Sequence, residues 1–118
     1  MNIIEFREHC LSLPYSTEDM PFDDTVVVFR LKGKIFGCIS LDQPDRIVLK
    51  CDAEYALQLR ELHPEIEGAW HWNKKYWNQI WLNRDVGDSL LQELVGHAWD
   101  EVNKKLPKKR PLKSGPIA

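Results

Sequence analysis

Tryptophan and lysine are concentrated in one short stretch of the sequence. Residues 69–83, AWHWNKKYWNQIWLN, hold four of the five tryptophans, together with Tyr76 and the adjacent pair Lys74 and Lys75. Rings interleaved with lysines are typical of proteins that stack nucleic-acid bases and contact phosphates. The same rings could instead belong to a hydrophobic core, because each tryptophan can bury about 150–250 Å². The spacing leaves both uses open, although packing is the commoner one.

A polar group of three residues, His71, Asn73 and Lys74, lies in the middle of this stretch. Asparagine is frequent in turns because its side chain bonds its own backbone, so Asn73 needs no ligand to explain it. Catalysis would need a nucleophile with a base in reach, and no sequence argument brings Ser40 to His71. The chain also lacks a phosphate-binding loop and the paired-glycine fingerprint of nucleotide enzymes. We therefore expect a non-enzymatic protein without catalytic residues or a cofactor.

Metal and redox chemistry are not expected either. Cys10, Cys38 and Cys51 form no CxxC pair and have no histidine at zinc-finger spacing. We predict that all three are reduced, buried thiols. The acidic stretch 16–24 could coordinate a divalent ion, but its spacing does not match an EF-hand loop. A solvated loop accounts for it better, so we expect no metal site.

The net charge of −2 conceals a strong asymmetry along the chain. Residues 1–103 carry 10 basic and 18 acidic side chains, whereas residues 104–118 carry six basic ones and no acid. An acidic body is unfavourable for general contact with phosphates. The basic end could contact an anionic surface, but its prolines and glycine favour a solvated tail. We predict one domain over 1–106 and a flexible basic tail over 107–118.

Length and composition are those of one ordinary globular domain: 118 residues, 43% hydrophobic and 29% charged. No stretch approaches the roughly 18 apolar residues of a membrane span. The first ten residues contain Glu5 and Glu8 and no apolar segment, which is unlike a signal peptide. We expect a cytoplasmic protein with no membrane partner, and a monomer in preference to an oligomer.

Hydrophobic periodicity predicts the elements that position these residues. A helix is expected over 2–12 and an ordered surface loop over 14–24. Two β-rich runs, 26–31 and 35–41, predict a hairpin around Lys32-Gly33-Lys34, with Gly33 supplying the positive φ of a tight turn. A third strand, RIVLKC, follows. Asp52 then predicts a cap for a helix over 53–62.

The tryptophan stretch itself predicts two further strands, 68–72 and 76–82, joined by a turn at Asn73-Lys74-Lys75. Within the second strand, the two-residue period turns Trp77 and Trp81 to one face and Ile80 to the other. Trp77 is expected to face inward, and Trp70 or Trp72 to be at least partly exposed.

The last predicted helix has a continuous apolar stripe and a cap at Asp88 or Ser89. The order α-β-β-β-α-β-β-α predicts an α+β fold, with an antiparallel five-stranded sheet and the helices packed on one face. The residues expected in the core include Phe29, Leu49, Leu59, Leu91, Leu94 and Trp99.

Five segments in this order resemble the MmcQ/YjbR family of small bacterial proteins over roughly residues 1–110. They are PF (21–22), VVVFRLKGKIFGCISLD (26–42), LKCDAEYALQLRE (49–61), HWNKKYWNQIWL (71–82) and LPKK (106–109). The most specific is an ungapped motif, H-x-N-K-x-x-W-x-x-[IV]-x-L, formed here by His71, Asn73, Lys74, Trp77, Ile80 and Leu82. The chain departs from the family pattern at Gly87, where proline is common, and at Ala98-Trp99, where Ser-Tyr is usual.

This resemblance implies a compact α+β domain in the order given above, and it carries the description "DNA-binding, double wing". The two wings would be the lysine-bearing turns, and the candidate DNA contacts are Lys32, Lys34, Lys74, Lys75 and Trp72. Lysines at turns also keep sheet edges soluble, which needs no ligand. The alternative is a protein-interaction or chaperone-like domain that uses exposed aromatic rings on the sheet. The expected partner is therefore DNA or another protein.

Overall fold

The computed structural model describes residues 1–106, which contain three helices and six strands. The helices are α1 (Ile3–Ser12), α2 (Ala53–Leu62) and α3 (Asp88–Asn103). The strands are β1 (Ser16–Asp19), β2 (Val26–Leu31), β3 (Lys34–Ser40), β4 (Arg46–Lys50), β5 (Ile66–Gly68) and β6 (Trp77–Trp81). The strands form one antiparallel sheet in the order β1-β2-β3-β4-β6-β5. The α+β class and the antiparallel sheet are as predicted.

The prediction of five strands was wrong, because part of the predicted loop 14–24 forms the edge strand β1. Ser16–Asp19 pairs with β2 and alternates its side chains across the sheet. Glu18 accepts two hydrogen bonds from Arg7 of α1 on one face, and Asp19 is bonded by Arg30 on the other. Backbone pairing and these ion pairs stabilise β1 as a strand. Its polar residues have weak β propensity, so the sequence pattern did not predict it.

The predicted strand 68–72 was also misplaced, since β5 spans Ile66–Gly68 and Trp70 and Trp72 lie beyond it. The chain leaves the sheet after Gly68, where a Cβ would lie 3.1 Å from the Lys74 side chain. Residues 69–76 then form a loop rather than a tight hairpin. The predicted asparagine turn is present inside it, because the Asn73 Oδ1 accepts from the Lys75 backbone N–H at 3.0 Å.

Other predicted elements are confirmed. The turn between β2 and β3 has positive φ at both Lys32 (50°) and Gly33 (86°), as two-residue hairpin turns require. Asp52 caps α2 by accepting from the Tyr55 backbone N–H at 3.1 Å. At α3 the cap prediction was wrong: Gly87 is the N-cap residue, and the Asp88 carboxylate instead bonds the N-terminal ammonium group at 2.7 Å.

The main core lies between the three helices and one face of the sheet, as predicted. Phe29, Leu49, Leu59, Leu91 and Leu94 are all buried there, together with Phe6, Phe36, Ile47, Ile80 and Val95. Trp99 packs at the margin of this core and is only half-buried, which corrects its predicted place. Its indole N–H donates to the Pro14 carbonyl oxygen at 3.1 Å, a partner that a fully apolar site would not supply.

The opposite face of the sheet, called here the open face, is covered only in part. A small cluster of Val28, Cys38, Val48 and Ala69 is buried on it, with Trp72 and Trp77 packed against the cluster. The loop 69–76 therefore folds back over the centre of this face. The three cysteines are free and buried, as predicted. Burial raises the pKa of Cys38 to about 11 and that of Cys51 to about 12.

No helix within residues 1–106 has the length and apolar character needed to cross a membrane. The predicted flexible tail, 107–118, lies outside the described residues.

Candidate functional site

Three lysines converge on one aromatic ring at the end of the sheet that carries the β2–β3 turn. The ammonium groups of Lys50, Lys75 and Lys105 lie 5.9, 5.5 and 5.5 Å from the centroid of the Tyr76 ring. Lys50 also lies 5.0 Å from the centroid of the Trp77 ring. These residues are called here the basic end of the sheet. Cation–π attraction favours such positions, by about 0.5–1 kcal/mol for each exposed lysine.

Separate elements bring these side chains together. Lys50 is the last residue of β4 and pairs with Trp77, the first residue of β6. The carbonyl oxygen of Tyr76 accepts from the Cys51 backbone N–H at 2.8 Å, which extends this pairing by one step. Lys105 follows α3, whose last turn crosses the same end of the sheet. The ring of Tyr76 thus lies where two strands and the end of a helix meet.

A cavity of about 540 Å³ lies beside the basic end. This volume would accommodate a small ligand. Its lining combines cationic side chains with two indole rings: Arg30, Gly33, Lys34, Ile35, Lys50, Trp72, Trp77, Val102, Lys105 and Leu106. Arg30 is fixed on its wall, because it donates to Asp19 at 2.7 Å and to the Gly33 carbonyl oxygen at 2.9 Å. This cavity is called here the basic cavity.

The lysines of this site lack acidic partners. Within residues 1–106, no carboxylate oxygen lies within 4 Å of the ammonium groups of Lys34, Lys50, Lys75 or Lys105. The nearby Glu101 is bound by Lys104 at 2.5 Å. Partial burial, and then the positive charge of Lys105, lower the pKa of Lys50. The fold therefore holds several positive charges near one another at a cost that a bound anion would relieve.

Two of the predicted nucleic-acid contacts, Lys34 and Trp72, line the basic cavity, and Lys75 lies beside it on Tyr76. Lys32 and Lys74 are not brought into this group. The Lys32 ammonium lies 5.4 Å from the Tyr15 ring, and Lys74 lies along Gly68 with its ammonium 3.4 Å from the Trp70 carbonyl oxygen. Both lysines are exposed, and their contact with DNA stays a prediction.

Sequence reasoning missed Lys50, Lys105 and Arg30 as members of the site. A signal for Lys50 was present, because the alternation in RIVLK turns it away from the buried Ile47 and Leu49, toward the face of Trp77. It could be used only once the pairing of β4 with β6 was known. Lys105 fell within the predicted domain, but it was considered only as one of the basic residues of 104–118.

The Trp72 and Trp77 rings form a pair, with centroids 4.4 Å apart and planes inclined by 39°. Trp72 is half-buried and Trp70 is 54% exposed, as predicted. Trp77 was expected to face inward, but it is half-buried on the open face and packs against the small cluster there. Trp72 separates the basic cavity from a second cavity of about 470 Å³, called here the open-face cavity. The second cavity is lined by Phe22, Val26, Cys38, Ser40, Arg46, Val48, Trp70, His71, Trp72 and Gln79.

The remaining motif residues have structural surroundings. Asn73 closes the turn described above, and its φ is not positive. His71 is exposed at the open-face cavity, which it shares with Ser40. Within residues 1–106, no hydrogen bond joins the Ser40 hydroxyl to His71 or to another partner.

Comparison with known proteins agrees with this fold. The family model described as YjbR matches residues 11–101. The chain belongs to the YjbR family. Among curated relatives, this YjbR-family protein is 32% identical to YbdF of Escherichia coli O157:H7 over 100 residues, which are 84% of this chain and 82% of YbdF. It is 22% identical to YjbR of Escherichia coli strain K12, over 93% of this chain and 94% of that protein.

Two crystal structures resemble the YjbR-family domain described here. A Deinococcus radiodurans protein with a DUF419 domain has a TM-score of 0.85 and 35% identity, covering 94% of this chain and 85% of its own. A Pseudomonas syringae protein has a TM-score of 0.70 and 25% identity, covering 83% of this chain and 96% of its own.

Proposed function

We propose that this YjbR-family protein is a non-enzymatic nucleic-acid-binding module that contacts phosphates through the basic end of the sheet. The observation that carries the proposal is the convergence of Lys50, Lys75 and Lys105 on the Tyr76 ring. A phosphate backbone offers closely spaced negative charges that match such a group. The lysine Lys34 and the arginine Arg30 extend the group along the wall of the basic cavity.

The position of the rings favours phosphate contact over base stacking. Lysine ammonium groups lie over Tyr76 and Trp77, so these rings orient cations and are less open to bases. Phosphate contacts position a protein on nucleic acid without reading its sequence. We therefore propose binding that depends little on sequence and strongly on salt concentration.

The charge of the chain bears on where binding occurs. The domain carries more acids than bases, so an unselective attraction over its whole surface is not expected. The basic cavity is lined by Leu106, and the twelve residues that follow it in the sequence include four basic side chains and no acid. Along the sequence, positive charge is therefore concentrated in the residues that directly follow Leu106.

The test is a fluorescence-anisotropy titration of labelled duplex and single-stranded DNA at about 50 and about 200 mM salt. If Lys34, Lys50, Lys75 and Lys105 each contact one phosphate, the slope of log K against log salt on duplex DNA should be about −3 to −4. The variants K34A, K75A and K105A should each make that slope shallower by about 0.9.

The matched control is R84A, which removes one positive charge from an exposed position at the opposite end of β6. It should leave the salt slope unchanged. Equal effects of R84A and K105A would show that only net charge matters, and would contradict a site at the basic end. No affinity for either DNA at about 50 mM salt would refute the nucleic-acid proposal.

The second candidate function is a protein-interaction surface on the open face. It rests on Phe22 and Trp70, which are 64% and 54% exposed and border the same cavity. Exposed rings that share a concave surface are typical of interaction sites. If DNA affinity is absent, this candidate takes first place.

A further inference from the structure

The open-face cavity combines an apolar floor with a few polar groups. Val26, Val48 and the neutral thiol of Cys38 form the floor, and Trp70 and Trp72 form part of the rim. Its volume of about 470 Å³ falls within the range of about 300–1,000 Å³ that is usual for small-molecule sites. Few polar groups in an apolar concavity are the usual means of orienting a ligand.

Arg46 is the cationic group of this cavity. Its guanidinium carbon lies 5.5 Å from the Trp70 ring centroid and 5.9 Å from that of Trp81. In the part of the chain that the structure describes, no carboxylate oxygen lies within 4 Å of it, whereas Arg7 and Arg30 each have such a partner. The rings therefore position a charged, forked donor that has no carboxylate in direct contact among the described residues.

The other polar groups of the cavity are Gln79, Ser40 and the exposed His71. The Gln79 amide is already used: its Nε2 donates to Glu67 at 2.6 Å, and its Oε1 accepts from the Trp70 backbone N–H at 3.5 Å. The Ser40 hydroxyl and the Arg46 guanidinium have no such partner among residues 1–106. A complementary ligand would present acceptors, and a carboxylate matches the arginine fork.

Glu67 limits the charge of that ligand. Hydrogen bonds from the Trp81 indole and the Gln79 amide, and more weakly the charges of Arg84 and Arg46, lower the pKa of Glu67. Glu67 is therefore ionised at neutral pH, close enough to offset part of the positive charge of Arg46. A ligand with one negative charge suits this balance, whereas one with several would be repelled.

We propose that the open-face cavity binds a planar aromatic monocarboxylate. The carboxylate bonds the Arg46 guanidinium, and the aromatic ring lies in the apolar part of the cavity against Trp70 and Trp72. Indole rings prefer offset or edge contacts with other aromatic rings, and both Trp70 and Trp72 line the cavity. This site is separate from the basic cavity and does not depend on the nucleic-acid proposal.

Calorimetric titration with 2-naphthoate and with 2-naphthamide, its uncharged counterpart, tests the proposal. The naphthoate should bind saturably, and the naphthamide at least about tenfold more weakly, because it lacks the charge-assisted bonds to Arg46. The variant R46M should weaken naphthoate binding by about tenfold or more and leave naphthamide binding nearly unchanged. Methionine keeps an apolar stem between the rings, and urea unfolding checks that the variant is folded.

The matched control is R84M, because Arg84 lies 5.2 Å from the outer ring Trp81 and does not line the cavity. It should change naphthoate affinity by less than about threefold, through long-range charge alone. In the unmodified protein, naphthoate should shift the indole N–H resonances of Trp70 and Trp72 in NMR spectra, but not that of Trp99 on the far side of the sheet.

Several results would overturn the proposal. They are no saturable naphthoate binding up to about 5 mM, equal affinity for naphthamide, and equal loss in R46M and R84M. A shift of Trp99 as large as that of Trp70 would also refute it. K105A should leave naphthoate binding unchanged, so failure of either proposed site can be recognised independently of the other.

Discussion

Replacing Arg60 should destabilise the fold by more than the loss of a surface ion pair would. Arg60 lies on α2, and its Nε donates to the Oδ1 of Asn78 at 2.7 Å. Its Nη2 donates to the carbonyl oxygen of Lys74 and, at 3.4 Å, to that of Trp77. One side chain thus fastens α2 to β6 and to the loop that carries Lys75 and Tyr76.

The magnitude follows from which of these acceptors are buried. Asn78 is only 2% exposed, so the variant R60M would leave its amide oxygen without a donor or water. A hydrogen bond to a charged group contributes about 1.5–3 kcal/mol, and a buried acceptor left unsatisfied costs about 1–3 kcal/mol. The Lys74 carbonyl can be solvated, and the 3.4 Å contact is weak. We expect R60M to lose about 2–4 kcal/mol of unfolding free energy.

Urea unfolding followed by tryptophan fluorescence measures this loss, and a double-mutant cycle with N78L assigns it. Leucine has a shape similar to asparagine, so R60M combined with N78L replaces both polar partners with apolar ones. The double variant should be more stable than the sum of the single losses implies, by about 1–2 kcal/mol.

The matched control is R7M, which removes an arginine whose partner Glu18 lies at the partly exposed edge strand. Exposed ion pairs contribute about 0–1 kcal/mol, so R7M should cost much less than R60M. A loss below about 0.5 kcal/mol for R60M, or strict additivity in the cycle, would refute the role assigned to Asn78.

Two further predictions concern the core and the basic end. L94A should cost about 2–5 kcal/mol in urea unfolding, because Leu94 is 3% exposed and its deletion leaves a cavity between α3 and the sheet; a loss below about 0.5 kcal/mol would show that the site is not packed as described. As pH rises into the alkaline range, the unmodified protein should lose DNA affinity at a lower pH than the variant K50R does. The reason is that the pKa of Lys50 is lowered, whereas arginine stays charged. Below that lowered pKa, Lys50 is charged and binds; as pH rises through it, the charge and its contact are lost. Anisotropy titrations at constant salt check this, and identical pH profiles for the two proteins would exclude Lys50 from the contact.

Local signals were sufficient for some elements and not for others. The helix α2 matches its predicted range because Asp52 caps its start and Pro64 follows its end. The β2–β3 turn follows from Gly33 in the same way. The strand β1 gave no such signal, because its residues Ser-Thr-Glu-Asp are polar and become a strand only through their partners on β2 and α1.

The alternating rings of Trp70 and Trp72 misled the strand prediction. A tryptophan at every second position has the period of a strand, but here the chain had already left the sheet at Gly68. The loop is held by backbone bonds such as that from the Ala69 N–H to the Trp77 carbonyl oxygen, at 3.0 Å. The period of the side chains does not report such bonds, so the cavities on either side of Trp72 were not predictable.

The basic end could not be predicted for a different reason. Lys34, Lys50 and Lys105 are far apart in the sequence and meet only through strand order and the position of α3. Each lysine alone is consistent with a solvated side chain at the end of an element. Only the convergence of Lys50, Lys75 and Lys105 on one ring, without acidic partners among the described residues, distinguishes the group from an ordinary surface.

The two faces of the sheet therefore have different physical roles. The helix-covered face buries the apolar residues that stabilise the fold, and the side-chain oxygen of its buried Asn78 accepts from Arg60. The open face contributes only a small buried cluster, so its side chains are less constrained by packing. Positive charges without a carboxylate in direct contact are found there and at its end: Arg46 on the open face, and the neighbouring lysines of the basic end. Local features that cost free energy are expected at binding sites, where the rest of the fold tolerates them. Both proposed sites are therefore placed on this side of the sheet.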